Sequence, residues 1–253
     1  MARAARWRLE SCEMGISLDQ ALQAAVDPDR MAIPGFVRPT GETLGRPDLQ
    51  QPFLDRCRRS LQALVSGPEV GGVLQVCSPR NDEWRSSVSA AMAISLVRTY
   101  GERVALLDLD FATGGLTRVF SVNPVPGMAD WLEGGERLRV VAGGPNRLLH
   151  LLPVGQHYRD PALLHSEIAR RQVVETLMRH FTWVVMDLPP LLTEPSAAHL
   201  LPFADYRVLV GRYRQTVLRD LEETAEQCGT QGQTGFLLTG DTSRVPRWIR
   251  RLI

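Results

Sequence analysis

The chain has 253 residues, 44% of them hydrophobic and 23% charged, with a formal net charge of +1. That is an ordinary soluble composition, long enough for one large α/β domain or two small ones. A near-neutral balance excludes a general electrostatic grip on nucleic acid, and no apolar run is long enough to cross a bilayer.

The start, MARAARWRLESCEMG, is basic but has no apolar h-region, so no secretory signal is expected. Residues 17–26 read as a short helix with Ser17 as its N-cap. The Pro- and Gly-rich IPGFVRPTGETLGRPD then reads as a linker, which makes residues 1–48 an N-terminal arm. A main domain is expected over 49–243. Leu54, Cys57, Leu61 and Val65 recur near helical spacing and predict an amphipathic helix over 53–65.

From Val70 onward strands and helices alternate. VGGVLQVCS predicts a buried strand, and SVSAAMAISLVRTYG a helix with a small-residue face, closed by Gly101. RVALLDLD and LLHLLPVG are the next strands, and EIARRQVVETLMRHF reads as one long amphipathic helix. TWVVMDLPP and ADYRVLVGRY are strands, TVLRDLEETAEQC a helix and TGFLLTG a last strand. Continuous apolar strands between helices predict an α/β fold with a mostly parallel, doubly wound sheet covered on both faces.

The tail RVPRWIRRLI, residues 244–253, sets Val245, Trp248, Ile249, Leu252 and Ile253 on one helical stripe. Arg244, Arg247, Arg250 and Arg251 lie mostly opposite. Two readings stay open for this basic amphipathic helix: contact with a membrane surface, or packing on the sheet. The four cysteines form no CxxC pair and the five histidines no HExxH, so reduced cysteines and no zinc site are expected. There is no lysine, so all 29 basic residues are arginines. Chemistry that needs an ammonium must borrow it from another protein.

Ligands of such sheets sit at the carboxyl ends of the strands. The candidate site is therefore the loop from Ser78 to Ser87 with Asp108, Asp110 and Asp187. LLDLDFATGGLTRVF resembles a Walker A′ strand with Asp108 and Asp110 in its D-x-D positions. NPVPGMADWLEG resembles a P-G-L-x-D-x-L-x-G segment, LLHLLPVGQ an L-x-x-L-P-A-G strand, and FTWVVMDLPPLL a Walker B strand ending in Asp187, Pro189 and Pro190. In this order, over about residues 50–243, they resemble the deviant-Walker P-loop ATPases of the MinD/ParA type. The resemblance is strongest to the cytoplasmic domain of bacterial tyrosine kinases (BY-kinases of the CpsD/Wzc type).

The resemblance implies a P-loop NTPase fold that binds Mg-ATP or Mg-ADP, with Ser86 and Asp187 on magnesium and Asp108 helping to activate the attacking group. It also implies a cytoplasmic setting in exopolysaccharide or capsule synthesis and export. A membrane polysaccharide co-polymerase, an active kinase or ATPase paralogue, or a second copy of the chain would be the partner. Residues 244–253 would place it at the inner face of the membrane if they touch lipid. Asp108 and Asp187 have a plainer reading as strand-end groups bonded to nearby helix N-termini.

The loop itself, SPRNDEWRSS, departs from G-x-x-x-x-G-K-[ST]. Pro79 holds the first position, Trp84 replaces the glycine before the lysine, and Arg85 replaces the lysine. Asp82 brings a carboxylate where phosphate should lie. A tryptophan at a positive-φ position is strained and should crowd the phosphates. Guanidinium binds phosphate, but its planar fork does not sit where an ammonium sits. Ala112 replaces the arginine of the kinase Walker A′, and the last tyrosine is Tyr213, so no tyrosine-rich tail follows. Pro52, Asp55 and Arg58 occupy the family's E-x-x-R-x-x-R ring-forming positions, leaving only the final arginine. The expectation is a degenerate P-loop protein that is not an enzyme and needs no cofactor, a scaffold or regulator. The alternative is a nucleotide-binding ATPase or tyrosine kinase that uses Arg85 in place of lysine.

Overall fold

In the computed structural model the described residues are 18–19, 22, 49–65, 71–81, 83–124, 126–134, 138–156 and 160–240. In chain order they form α1 (Gln51–Leu64), β1 (Gly72–Cys77), α2 (Arg85–Tyr100), β2 (Val104–Asp108), α3 (Gly115–Val119) and α4 (Met128–Leu132). Then come β3 (Val141–Gly143), β4 (Leu149–Leu152), α5 (Pro161–Arg170), α6 (Val173–Met178) and β5 (Trp183–Asp187). β6 (Tyr206–Arg212), α7 (Leu218–Cys228) and β7 (Gln233–Thr239) complete them.

The seven strands make one sheet in the order β3-β4-β2-β5-β1-β6-β7. All neighbours are parallel except β3, which runs antiparallel to β4. β1, β2 and β5 are buried along their whole lengths, as parallel strands with helices on both faces must be. One face packs on α1 and α2 through Cys57, Leu61, Leu74, Met92, Leu96 and Val185. The other carries Leu107, Val184, Met186 and Leu209 against Ile168, Val173 and Leu177. α2 is buried from Val88 to Val97, and its alanines allow it to lie close to the strands. Gly101, at φ 68, closes the helix with its N–H on the carbonyl of Val97. β1 stands between β5 and β6, so its exit loop opens at the middle of the sheet's carboxyl edge.

Two expectations need correction, and one strand was not expected. The stretch 167–181 is two helices, because Gln172 adopts a left-handed conformation (φ 51) between α5 and α6. The edge strand β3 was not foreseen; its VAG is too short to show a period. β7 is not covered on both faces: Phe236 and Leu238 are largely exposed. Of the expected arm, Leu18 and Leu22 are buried in the core and Asp19 lies 2.8 Å from His180 Nε2. The rest of the arm, the linker and residues 244–253 lie outside the described residues. Among the described residues no helix is long and apolar enough to cross a membrane.

Candidate functional site

The loop after β1 is tied down at both ends. Leu191 and Leu192, which follow β5, donate their N–H groups to the carbonyls of Ser78 and Pro79 at 2.9 and 3.1 Å. Ser78 Oγ donates to the carbonyl of Arg80 (2.9 Å), and Glu83 accepts from the N–H of Arg80 (3.2 Å) and from Thr216 Oγ1 (2.7 Å). Glu83 is buried, and that burial pushes its carboxyl above the usual range. Asp82 lies outside the described residues.

Trp84 takes the strained backbone that the missing glycine would have adopted, at φ 61. Its ring borders the cavity beside Ser86 and Ser87. It is half exposed, with the Arg212 guanidinium 5.5 Å from the ring centroid. Arg85, the first residue of α2, turns inward instead. Its side chain is 7% exposed, and Nη2 donates to Asp110 Oδ2 at 2.6 Å. Nε donates to Asp187 Oδ1 at 3.3 Å and Nη1 to Ser78 Oγ at 3.0 Å. The positive charge that should face phosphate is thus spent on the protein's own carboxylates.

The strand-end aspartates are held from several sides. Asp110 accepts from the Thr113 N–H (3.1 Å) and Oγ1 (2.7 Å). Asp108 Oδ2 accepts from Thr117 N (2.8 Å) and Oγ1 (2.6 Å) in the first turn of α3. Ser89 Oγ donates to Asp187 Oδ1 at 2.8 Å. Asp108 and Asp187 are register partners across β2 and β5, both fully buried. Burial, then the Asp187 charge, push the Asp108 carboxyl up to about 7. Burial also raises Asp187, while the Arg85 charge and nearby serine hydroxyls pull it back. Among the described residues Asp108 Oδ1 and Asp187 Oδ2 have no hydrogen-bond partner.

Ser86 and Ser87 are half-buried and line a cavity of about 580 Å³ with Asn81, Trp84, Asp110 and Arg118. Gly115 sits directly against Ser86 Oγ, where any Cβ would collide with the hydroxyl. The expected magnesium pair is brought together, the Ser86 hydroxyl lying close enough to Asp187 to help lower its carboxyl. Ser86 is pressed on Gly115, and a divalent cation on Asp187 would stand beside the Arg85 guanidinium. Among the described residues no group of three or more His, Cys, Asp or Glu could hold a metal.

The structure therefore brings together Ser78, Arg85, Asp110 and Asp187 in one network, and Ser86 and Ser87 at its mouth. Trp84 is turned away from it. The sequence reading included Glu83 in the loop without giving it a role, and it missed Thr113, Thr117 and Gly115. The Gly114–Gly115 pair, separated from the D-x-D motif by three residues, was the available signal for a close approach. It also missed His165, whose Nε2 lies 3.1 Å from the carbonyl of Leu109 and whose pKa is lowered by burial.

These features give the α/β fold of a P-loop NTPase. The chain is similar to bacterial tyrosine kinases, and its own P-loop is degenerate. It is 25% identical over 170 residues to the tyrosine-protein kinase ptk of Acinetobacter johnsonii, covering 66% of this chain and 23% of that protein. It is 25% identical over 185 residues to the tyrosine-protein kinase CpsD of Streptococcus agalactiae, covering 71% and 79%. It is 30% identical over 166 residues to the succinoglycan biosynthesis transport protein ExoP of Rhizobium meliloti, covering 62% and 21%. The chain thus spans under a quarter of the length of the Acinetobacter and Rhizobium proteins. Among solved structures, the kinase domain of the Escherichia coli tyrosine kinase ETK matches with a TM-score of 0.68 at 19% identity, over 83% of this chain and 84% of that one. The Pyrococcus furiosus cell division ATPase MinD matches at 0.53 and 20% identity, over 70% and 77%. Both share the fold. No family model matches the chain.

Proposed function

We propose that this chain is a pseudo-enzyme of the BY-kinase type, a non-catalytic scaffold or regulator in the synthesis or export of exopolysaccharide or capsule. The observation that carries the reading is the inward Arg85, paired with Asp110 at 2.6 Å and Asp187 at 3.3 Å. To bind polyphosphate, Arg85 must leave both carboxylates, and uncovering a buried charge costs about 3–5 kcal/mol. That penalty weakens a nucleotide by roughly two to three and a half powers of ten. With no lysine in the chain, a second copy cannot repair the site. The names of the Rhizobium transport protein and of the CpsD kinase support the polysaccharide setting. The partner in this reading is a membrane polysaccharide co-polymerase or an intact kinase or ATPase paralogue, met at the inner face of the membrane.

A second reading is nucleotide binding, as an ATPase or kinase, with Arg85 swung outward. The cavity of about 580 Å³ that persists beside Ser86 and Ser87 favours it. Isothermal titration with Mg-ATP and Mg-ADP separates the two, run beside a variant carrying Asp82→Gly, Trp84→Gly and Arg85→Lys. Silence from the parent with binding by the variant supports the pseudo-enzyme. Micromolar binding by the parent overturns it, and phosphate release would then be measured.

A further inference from the structure

The far end of the sheet exposes apolar surface that the fold does not cover. At Gly211 of β6 a Cβ would lie 3.3 Å from the Leu221 methyls of α7 and 3.4 Å from Leu238 Cδ2 of β7. Leu221 and Leu238 thus flank the same point, and because α7 covers β6 while the neighbouring face of β7 is exposed, the step between the last helix and the last strand makes a shallow groove. Along it Leu218, Phe236 and Leu238 are 69%, 63% and 48% exposed. Single exposed apolar residues need no explanation, but a strip of three large ones marks an interaction site. One wall is acidic: Leu218, Glu222 and Glu226 recur every fourth residue of α7, so they share a stripe, and both glutamates are exposed.

The complementary chemistry lies a few residues on. Residues 244–253, outside the described residues, carry five apolar side chains at helical spacing and four arginines mostly opposite. Only residues 241–243 separate them from Gly240, and three residues span at most about 10 Å. Gly240 itself is at φ 71, a left-handed conformation that suits a reversal of direction. We propose that the groove between α7 and β7 is the docking site of the chain's own segment 244–253. Its apolar stripe lies on Leu218, Phe236 and Leu238, and its arginines face Glu222 and Glu226. Charge selects this occupant. A second copy would set acidic wall against acidic wall, and an anionic bilayer would be repelled by the same glutamates. Docked in this way, the segment hides the apolar residues that would otherwise enter lipid.

Hydrogen–deuterium exchange of the full chain, beside a chain ending at Gly240, tests this. Removal of 241–253 should speed exchange across α7 and β7 by about tenfold or more, with circular dichroism unchanged. Glu222→Arg with Glu226→Arg should do the same in the full chain, and adding Arg247→Glu and Arg251→Glu should restore protection. If the shortened chain does not fold, the charge reversal and its rescue decide alone. Equal exchange in all variants overturns the proposal. Protection that is lost on dilution together with a halving of mass by light scattering assigns the groove to a second copy. Protection that arises only with phosphatidylglycerol vesicles assigns it to lipid. Either of these also overturns it.

Discussion

Arg85 shows how one substitution changes the meaning of a whole motif. A lysine here would present a point charge to phosphate, whereas the guanidinium reaches two carboxylates and a hydroxyl at once. Arg85→Ala should therefore destabilise the protein by about 3–5 kcal/mol in urea titration, because Asp110 and Asp187 lose their counter-charge while staying buried. A loss below about 1 kcal/mol would mean that the network is ornamental. Asp108 gives the complementary case, a buried carboxyl with no cation of its own. Its folded pKa of about 7 stands above the ordinary aspartate value near 3.9, so it takes up a proton on folding. Its contribution is present at low pH and is lost as pH rises from about 4 to about 7. Asp108→Asn should thus raise the melting temperature more at pH 8 than at pH 5. His150, held down to about 4 by burial, works in the opposite direction, but it is the same in both proteins and cancels in the difference.

At the scale of elements, the strands that carry the motifs were legible because parallel burial writes them as unbroken apolar runs. Ala105 to Leu107 and Val184 to Met186 are of this kind, and Val73 to Cys77 is interrupted only by the buried Gln75. The ends of those strands placed the site, and the deviation of the loop was legible letter by letter. What the letters did not carry was direction. Nothing in EWRSS says that Trp84 turns outward and Arg85 inward; the carboxylates that pull Arg85 in come from β5 and the exit of β2, 102 and 25 residues away. The break at Gln172 was hidden for a related reason. The apolar residues keep helical phase across it, so periodicity sees one helix where the backbone makes two. A left-handed glutamine is strained, and a left-handed conformation costs an L-residue roughly 1–2 kcal/mol that glycine avoids. Gln172→Gly should accordingly stabilise the chain by about 1 kcal/mol, against the usual penalty for glycine beside a helix. A loss of stability on the same substitution would show that α5 and α6 hold the break by packing alone.

The whole molecule has the fold of the kinase domains it resembles, but α1 lacks the E-x-x-R-x-x-R pattern that the resemblance leads one to expect for ring assembly. Of the three family positions only Arg58 keeps its charge, and it lies 3.5 Å from Asp55, one turn back on the same helix. Asp55 also accepts from Gln51 Nε2 at 3.1 Å, so among the described residues its interactions stay inside α1. Pro52 sits in the first turn of the helix, where proline is tolerated, but it offers no carboxylate to a neighbour. An exposed pair such as Asp55–Arg58 contributes under about 1 kcal/mol, too little to organise an assembly by itself. Arg56 is likewise turned homeward, its Nη1 3.5 Å from the carbonyl of Leu238. A cyclic assembly repeats one heterologous interface around the ring, so a missing contact is missing at every junction. Light scattering coupled to size exclusion should therefore find no ring at any concentration at which the chain stays soluble. Elution as a closed ring would require an interface elsewhere on the domain, and cross-linking would then locate it.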